Sequence, residues 1–282
     1  MASGFATLSR KSADAMLIAN ARMYSVTAQA ATAWRALLEW VIERAGVDCQ
    51  AIDYPPPKPM APLWARLDLG CAFICGYPYA NAAPKPTLLA APVPSPDAYG
   101  GKPVYWSDLV VRADASWVKL DDVFGRRLAY TTEDSQSGYQ AARELLAPYA
   151  RAGRLFSATV GPLITPRGVA EAVIAGEADV GPLDSYAHDL IRAHEPGLAA
   201  QLRTIATTPP APIPPLVAAP GIAAAQAKRL RAALLDIAQA AELRSIRDAL
   251  LLDGFVEVEP EDYSVLLERA GNADRSGYPR LA

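Results

Sequence analysis

Ser135-Gln-Ser-Gly138 is the stretch of this chain whose residue types best suit the binding of an anion. Before it lies a turn-then-apolar run, Gly125-Arg-Arg-Leu-Ala-Tyr130, which predicts a short buried strand. After it, Tyr139, Ala142, Leu145, Leu146 and Tyr149 recur near the helical period and predict an amphipathic helix. The four residues thus fall at a helix N-terminus, where backbone N–H groups lack intrahelical partners and the helix dipole is positive. Small polar side chains can hold an oxyanion there, and a glycine lets it approach the backbone. Serine is also a preferred N-cap, so two roles are open to Ser135 and Ser137.

A strand-helix alternation supplies the elements that position this turn. Strands are expected at Ala15–Ala21, Gly46–Tyr54, Leu69–Cys75 and Leu88–Pro92, with a helix over Ala30–Ala45 ended by Gly46. Further along, Lys102–Arg112 reads as extended, Phe156–Gly161 as a strand, and Thr165-Pro166 as the capped start of a helix reaching Gly176. Ala178–Leu183 forms a strand ending at Asp184, which then either caps the helix Ser185–His194 or faces the turn. The pattern is that of an α/β fold with largely parallel sheets. Extended segments near 97–111 and 203–217 bracket the middle block, and Pro209, Pro210, Pro212, Pro214 and Pro215 stiffen the second. The expected division is one lobe from residues 1–97 plus 208–282 and another from 98–207. The cleft between them is the default ligand site, and hinge closure its natural motion.

Bulk properties narrow the function. Of 282 residues, 51% are apolar and 20% charged, and the 27 basic and 30 acidic side chains are mixed along the chain. Without a basic block, nucleic acid is not an expected partner. No apolar run approaches the ~20 residues of a membrane span, so the chain is not expected to be membrane-embedded. Cys49, Cys71 and Cys75 form no disulfide framework, and Cys71 and Cys75 read as packed thiols in an apolar strand. With only His188 and His194 besides, both read as surface residues, neither a metal nor a cofactor is expected. Met1–Ala15 carries Arg10 and Lys11 but no apolar segment of the signal-peptide kind. This points to a cytoplasmic protein, or a periplasmic one if a leader has been removed.

Several runs together carry a family resemblance. Lys102–Arg112 (KPVYWSDLVVR), Gly125–Tyr130, Ser135–Tyr139, Gly176-Glu-Ala-Asp-Val180 through Leu183-Asp184, and Gly70–Tyr77 (GCAFICGY) resemble the phosphate/phosphonate-type substrate-binding proteins of ABC transporters. The resemblance covers roughly Met16 to Pro215 and implies a two-lobed, type II periplasmic-binding-protein-like fold. In that family a Ser-Thr-Ser-Gly turn grips the phosphonate oxygens. Ser135, Gln136, Ser137 and Gly138 match it, with Gln136 in place of threonine. The resemblance also implies ligand contacts from Tyr24, Tyr77 and Asp184. Where the family often carries His-Glu, this chain has Pro166-Arg167, which removes an acidic contact and supplies a cation. The ligand implied is a small anion: phosphate, a phosphonate, a carboxylate or an organophosphate.

Each of these residues also has a plainer reading. Tyr24 and Tyr77 are equally suited to the surface or the lobe interface. Arg167 suits a solvated first helical turn, and Tyr105 and Trp106 suit packing. The leading functional expectation is a non-catalytic binding protein, paired with an ABC permease or acting as an intracellular orphan of the family. The alternative is a lyase or biosynthetic enzyme on the same fold, with Asp184 abstracting a proton from a small organic acid. A regulatory effector-binding domain is a third reading, though no DNA-binding helix pair is evident.

Overall fold

The computed structural model describes residues 16–282. The Met1–Ala15 stretch, on which the cytoplasmic expectation rests, lies outside the described residues. In chain order the first lobe opens with β1 (Leu17–Asn20), α1 (Ala28–Ala45), β2 (Cys49–Ala51), α2 (Ala61–Trp64), β3 (Leu69–Phe73), α3 (Gly76–Asn81) and β4 (Thr87–Pro94). The chain crosses through β5 (Val104–Tyr105) into β6 (Ser107–Arg112), β7 (Arg127–Ala129), α4 (Ala141–Leu146), β8 (Ala158–Val160) and α5 (Pro166–Ile174). There follow β9 (Gly181–Asp184), α6 (Ser185–His194), α7 (Pro196–Ala199) and β10 (Leu202–Thr207). It returns by β11 (Ala211–Pro212) to β12 (Leu216–Ala218), α8 (Ala224–Asp236), α9 (Arg244–Leu250), β13 (Leu252–Val256) and α10 (Ser264–Arg275).

The first lobe is a six-stranded sheet in the order β13-β4-β12-β3-β1-β2. Only β1 with β2 and with β3 is parallel; the pairs involving β12 and β13 are antiparallel. The sheet is therefore mixed, not largely parallel, because the strands delivered by the return crossover run against their neighbours. Against it packs α1. Thr27 caps that helix, its hydroxyl accepting the Ala30 N–H at 3.1 Å, and Gly46 ends it at φ 57°. Trp34, Leu37, Leu38 and Val41 fill the core beneath it. The second lobe is built on the antiparallel sheet β10-β6-β9. The parallel pair β7–β8 joins it through a bridge from Leu128 to Val180.

The crossovers β5 and β11 pair with each other, Tyr105 opposite Ala211 and Val104 opposite Pro212. Two further elements depart from the expected division. Although α6 follows the second sheet, its Tyr186, Leu190 and Ile191 are buried in the first lobe's core. Conversely, the end of the chain leaves the first lobe: Ala273, Tyr278 and Leu281 lie in the second lobe's core with Leu109, Leu128 and Leu146. Buried Arg143 holds this segment, donating to the carbonyls of Ala270 (3.0 Å) and Pro279 (3.0 Å) and to Asp274. Alternation of strand and helix cannot reveal either exchange, since both helices are amphipathic whichever core they face.

Candidate functional site

Segments converge where the chain leaves the carboxyl ends of β1, β2, β3, β7, β8 and β9. They enclose a cavity of about 300 Å³, in the crevice position that open α/β sheets use for ligands. Its two walls differ in chemistry. The second lobe contributes the hydroxyl-bearing residues Thr131, Thr132, Ser135, Ser137 and Thr165, together with Asp134 and Asp184. The first lobe presents Met23, Met60, Trp64, Pro78 and Pro214, the Cys75 thiol, and Arg22. Among the described residues, Arg22 is the only basic side chain on the walls; its guanidinium donates to the Lys58 carbonyl and lies 5.6 Å from the centre of the Tyr54 ring.

The turn between β7 and α4 is locally wider than an α-helix. The Gln140 N–H bonds back to the Ser135 carbonyl at 3.0 Å, closing a π-type turn over Gln136–Gln140. Such insertions are frequent at functional sites, and residue-type periodicity does not register them. Ser135 caps the turn, its hydroxyl accepting the Gly138 N–H at 3.0 Å, and the residue also lines the cavity. Ser137 points its hydroxyl at Asp184, donating at 3.4 Å, and its carbonyl accepts from Ser107 Oγ at 2.8 Å. Two N–H groups of the turn are thereby committed, that of Gly138 to Ser135 and that of Gln136 to Cys75 Sγ at 3.1 Å.

Gly138 and Gln136 serve the turn differently from the resemblance. A Cβ added to Gly138 would lie 1.9 Å from Thr131 Oγ1, so the glycine is demanded by packing on Thr131. Gln136 is buried, its side chain off the cavity wall. Among the described residues its Oε1 meets no donor, and the buried hydroxyls of Thr131 and Tyr105 are likewise unpartnered. Buried polar groups are rarely left so, and Thr131 stands on the cavity wall.

Asp184 ends β9, paired opposite Ser107, and caps α6 by accepting the Ala187 N–H at 2.9 Å. Its second oxygen accepts from the hydroxyls of Tyr24 and Ser137, each at 3.4 Å. It therefore caps α6 while lining the cavity. Burial pushes its carboxyl up from 3.8 to about 7, while the backbone N–H groups of Ala187 and Tyr186 pull the other way. Near neutrality it exists as both donor and acceptor.

The remaining expected residues are placed elsewhere. Tyr24 is fully buried, its ring packed on Phe73 and Tyr186 at 5.0 and 4.8 Å, and only its hydroxyl reaches the site. Tyr77 starts α3 off the cavity wall, where its neighbours Cys75 and Pro78 stand instead. Arg167 turns from the cavity: its guanidinium bonds Glu171 at 2.8 Å and Glu195 at 2.8 Å, and reaches the Val26 carbonyl. Its charge is thus matched within the protein. His188 is buried, correcting the surface reading, with Nδ1 2.7 Å from Asp108 Oδ2. His194 is half-buried and donates to the Ala249 carbonyl at 2.6 Å. Both follow from α6 being sandwiched between lobes. Among the described residues, no three His, Cys, Asp or Glu side chains converge as a metal site would require.

This architecture agrees with comparison to known proteins. The chain belongs to the family described as "ABC transporter, phosphonate, periplasmic substrate-binding protein", which matches residues 24–263. It is accordingly a solute-binding protein of the two-lobed periplasmic type. Its fold is shared with the binding-protein component of an ABC phosphonate transporter from Pseudomonas aeruginosa. That structure has a TM-score of 0.77 and 19% identity, with 93% of this chain and 88% of that one aligned. PhnD1 from Prochlorococcus marinus, solved in complex with methylphosphonate, has a TM-score of 0.73 and 16% identity, over 92% and 98% of the two chains. A Xanthomonas citri protein bound to a chloride ion has a TM-score of 0.64 and 20% identity, over 92% and 98%. No curated protein matches the chain. No described helix is long and apolar enough to cross a membrane.

Proposed function

We propose that this protein captures a phosphonate, or a chemically similar singly substituted oxyanion, and presents it to an ABC permease without transforming it. The observation that carries the reading is the convergence of five hydroxyl-bearing residues and the protonatable Asp184 on one wall of the cavity. A tetrahedral oxyanion needs several donors in a small volume, and hydroxyls rotate to supply them. Below about pH 7 the Asp184 carboxyl adds an O–H donor; above it, a protonated oxyanion can donate to the carboxylate. Either way one proton is shared between ligand and protein.

Ligand contacts are assigned to Thr131, Thr132, Ser135, Ser137, Thr165 and Asp184. Tyr24 positions Asp184, and Gln136 and Gly138 shape the turn. Tyr77 and Arg167 receive no contact role in this reading. The lobes meet near residues 97 and 208, with the paired β5 and β11 as the hinge. Family membership supports work on the periplasmic side with a permease partner. Calorimetric titration with methylphosphonate, phosphate, sulfate and acetate tests the reading. Binding of methylphosphonate above sulfate and acetate is expected; acetate binding more tightly would overturn it.

A further inference from the structure

Resting on that reading of the anion wall, we propose that the ligand carries an apolar organic body: an alkyl- or arylphosphonate, in place of inorganic phosphate or an aminoalkyl compound. The argument comes from the opposite wall. Met23, Met60, Trp64, Pro78 and Pro214 line it, with Arg22 as its one charged side chain among the described residues, and every carboxyl on the cavity stands on the hydroxyl side. An ammonium group on the substituent would thus meet thioethers, an indole and proline rings, with no anion to offset its desolvation. An apolar substituent there leaves water and gains contact. The indole is held in place, donating from Nε1 to the Phe73 carbonyl at 2.9 Å, so its ring is a fixed surface. Met23 and Met60 are adaptable, and thioethers pack well on irregular or aromatic bodies.

Size agrees with chemistry. At about 300 Å³ the cavity has room for a substituent beside the oxyanion head. The cation expected to enlarge the anionic part of the ligand, Arg167, is occupied by Glu171 and Glu195. Arg167 therefore offers no free charge to a second anionic group, and apart from Arg22 and the Cys75 thiol the wall facing the head is apolar.

The test is a calorimetric series on the whole chain with inorganic phosphate and methyl-, ethyl-, propyl-, butyl-, phenyl- and 2-aminoethylphosphonate, together with pentanoate. Affinity is expected to tighten about fourfold for each methylene from methyl to butyl, the equivalent of ~0.8 kcal/mol per buried CH₂. Phenylphosphonate should match butyl, and the aminoethyl compound should bind more weakly than propyl. Flat or falling affinity along the series, or the aminoethyl compound binding best, would overturn the apolar body while leaving an oxyanion site intact. Pentanoate binding above butylphosphonate would support the body and overturn the phosphonate head. A Met60→Ser variant should lower the ratio of butyl to methyl affinity; an unchanged ratio would remove this wall from the ligand.

Discussion

Asp184→Asn separates the electrostatics of the site from its geometry. The carboxyl is buried and accepts one backbone N–H at 2.9 Å and two hydroxyls at 3.4 Å, yet among the described residues no cation pairs with it. Its pKa moves from 3.8 to about 7, so the folded protein holds a proton that the unfolded chain has released. Stability from this group is complete below about pH 4 and is lost as pH rises through about 7. At ~1.36 kcal/mol per pH unit, the ionised side chain costs the folded state on the order of 4 kcal/mol above pH 8. Asparagine keeps the cap on α6, being as good an N-cap as aspartate, and never ionises. Urea unfolding of wild type and variant at pH 4 and pH 8.5 should show near-equal stability at the lower pH. At the higher pH the ligand-free variant should be more stable by several kcal/mol. The same difference at both pH values, or a less stable variant at pH 8.5, would refute the reasoning.

Gly138→Ala would drive a methyl into Thr131 and should cost about 1–3 kcal/mol by overpacking; a Thr131→Ala background should recover most of it in urea denaturation. Arg167→Met removes contacts to Glu171, Glu195 and Val26 but none to the cavity. Phosphonate affinity should change less than about threefold, with roughly 0.5–1 kcal/mol lost from stability because the pairs are part-exposed. A tenfold or larger loss of affinity would return this arginine to the site. Cys75 lines the cavity with its thiol pushed up to about 11 by burial. Alkylation followed by peptide mass spectrometry should be slow at pH 7 and rise about tenfold per pH unit towards pH 9, and saturating phosphonate should block it.

The legible part of the fold was local. Gly46 ends α1, Thr165-Pro166 starts α5, and Asp184 ends β9, because caps, prolines and apolar runs act within a few residues. Family resemblance added the lobed architecture. Strand direction was not legible: the antiparallel placement of β12 and β13 depends on where the return crossover enters the sheet. Exchange of α6 and the C-terminal segment between cores was also hidden. At the site, Ser135, Ser137 and Asp184 stood out by residue type at strand ends. Met23, Met60, Trp64 and Cys75 did not, since apolar side chains facing a cavity and those facing a core have the same pattern in one dimension. Arg167 drew notice as a cation at a helix start, but its partner Glu195 lies 28 residues away, at the far end of α6. Only the fold brings them together.

Ser137 is the side chain through which the central claim is tested most directly, since its hydroxyl faces Asp184 and it caps no helix. Methylphosphonate should be titrated calorimetrically into wild type and Ser137→Ala at pH 6.5, with urea unfolding of both run alongside. The account predicts affinity weakened tenfold or more, consistent with a lost hydrogen bond to a charged group at about 1.5–3 kcal/mol, and stability within about 1 kcal/mol of wild type. Equal affinities, with both proteins folded, would contradict the assignment of this hydroxyl wall as the anion site.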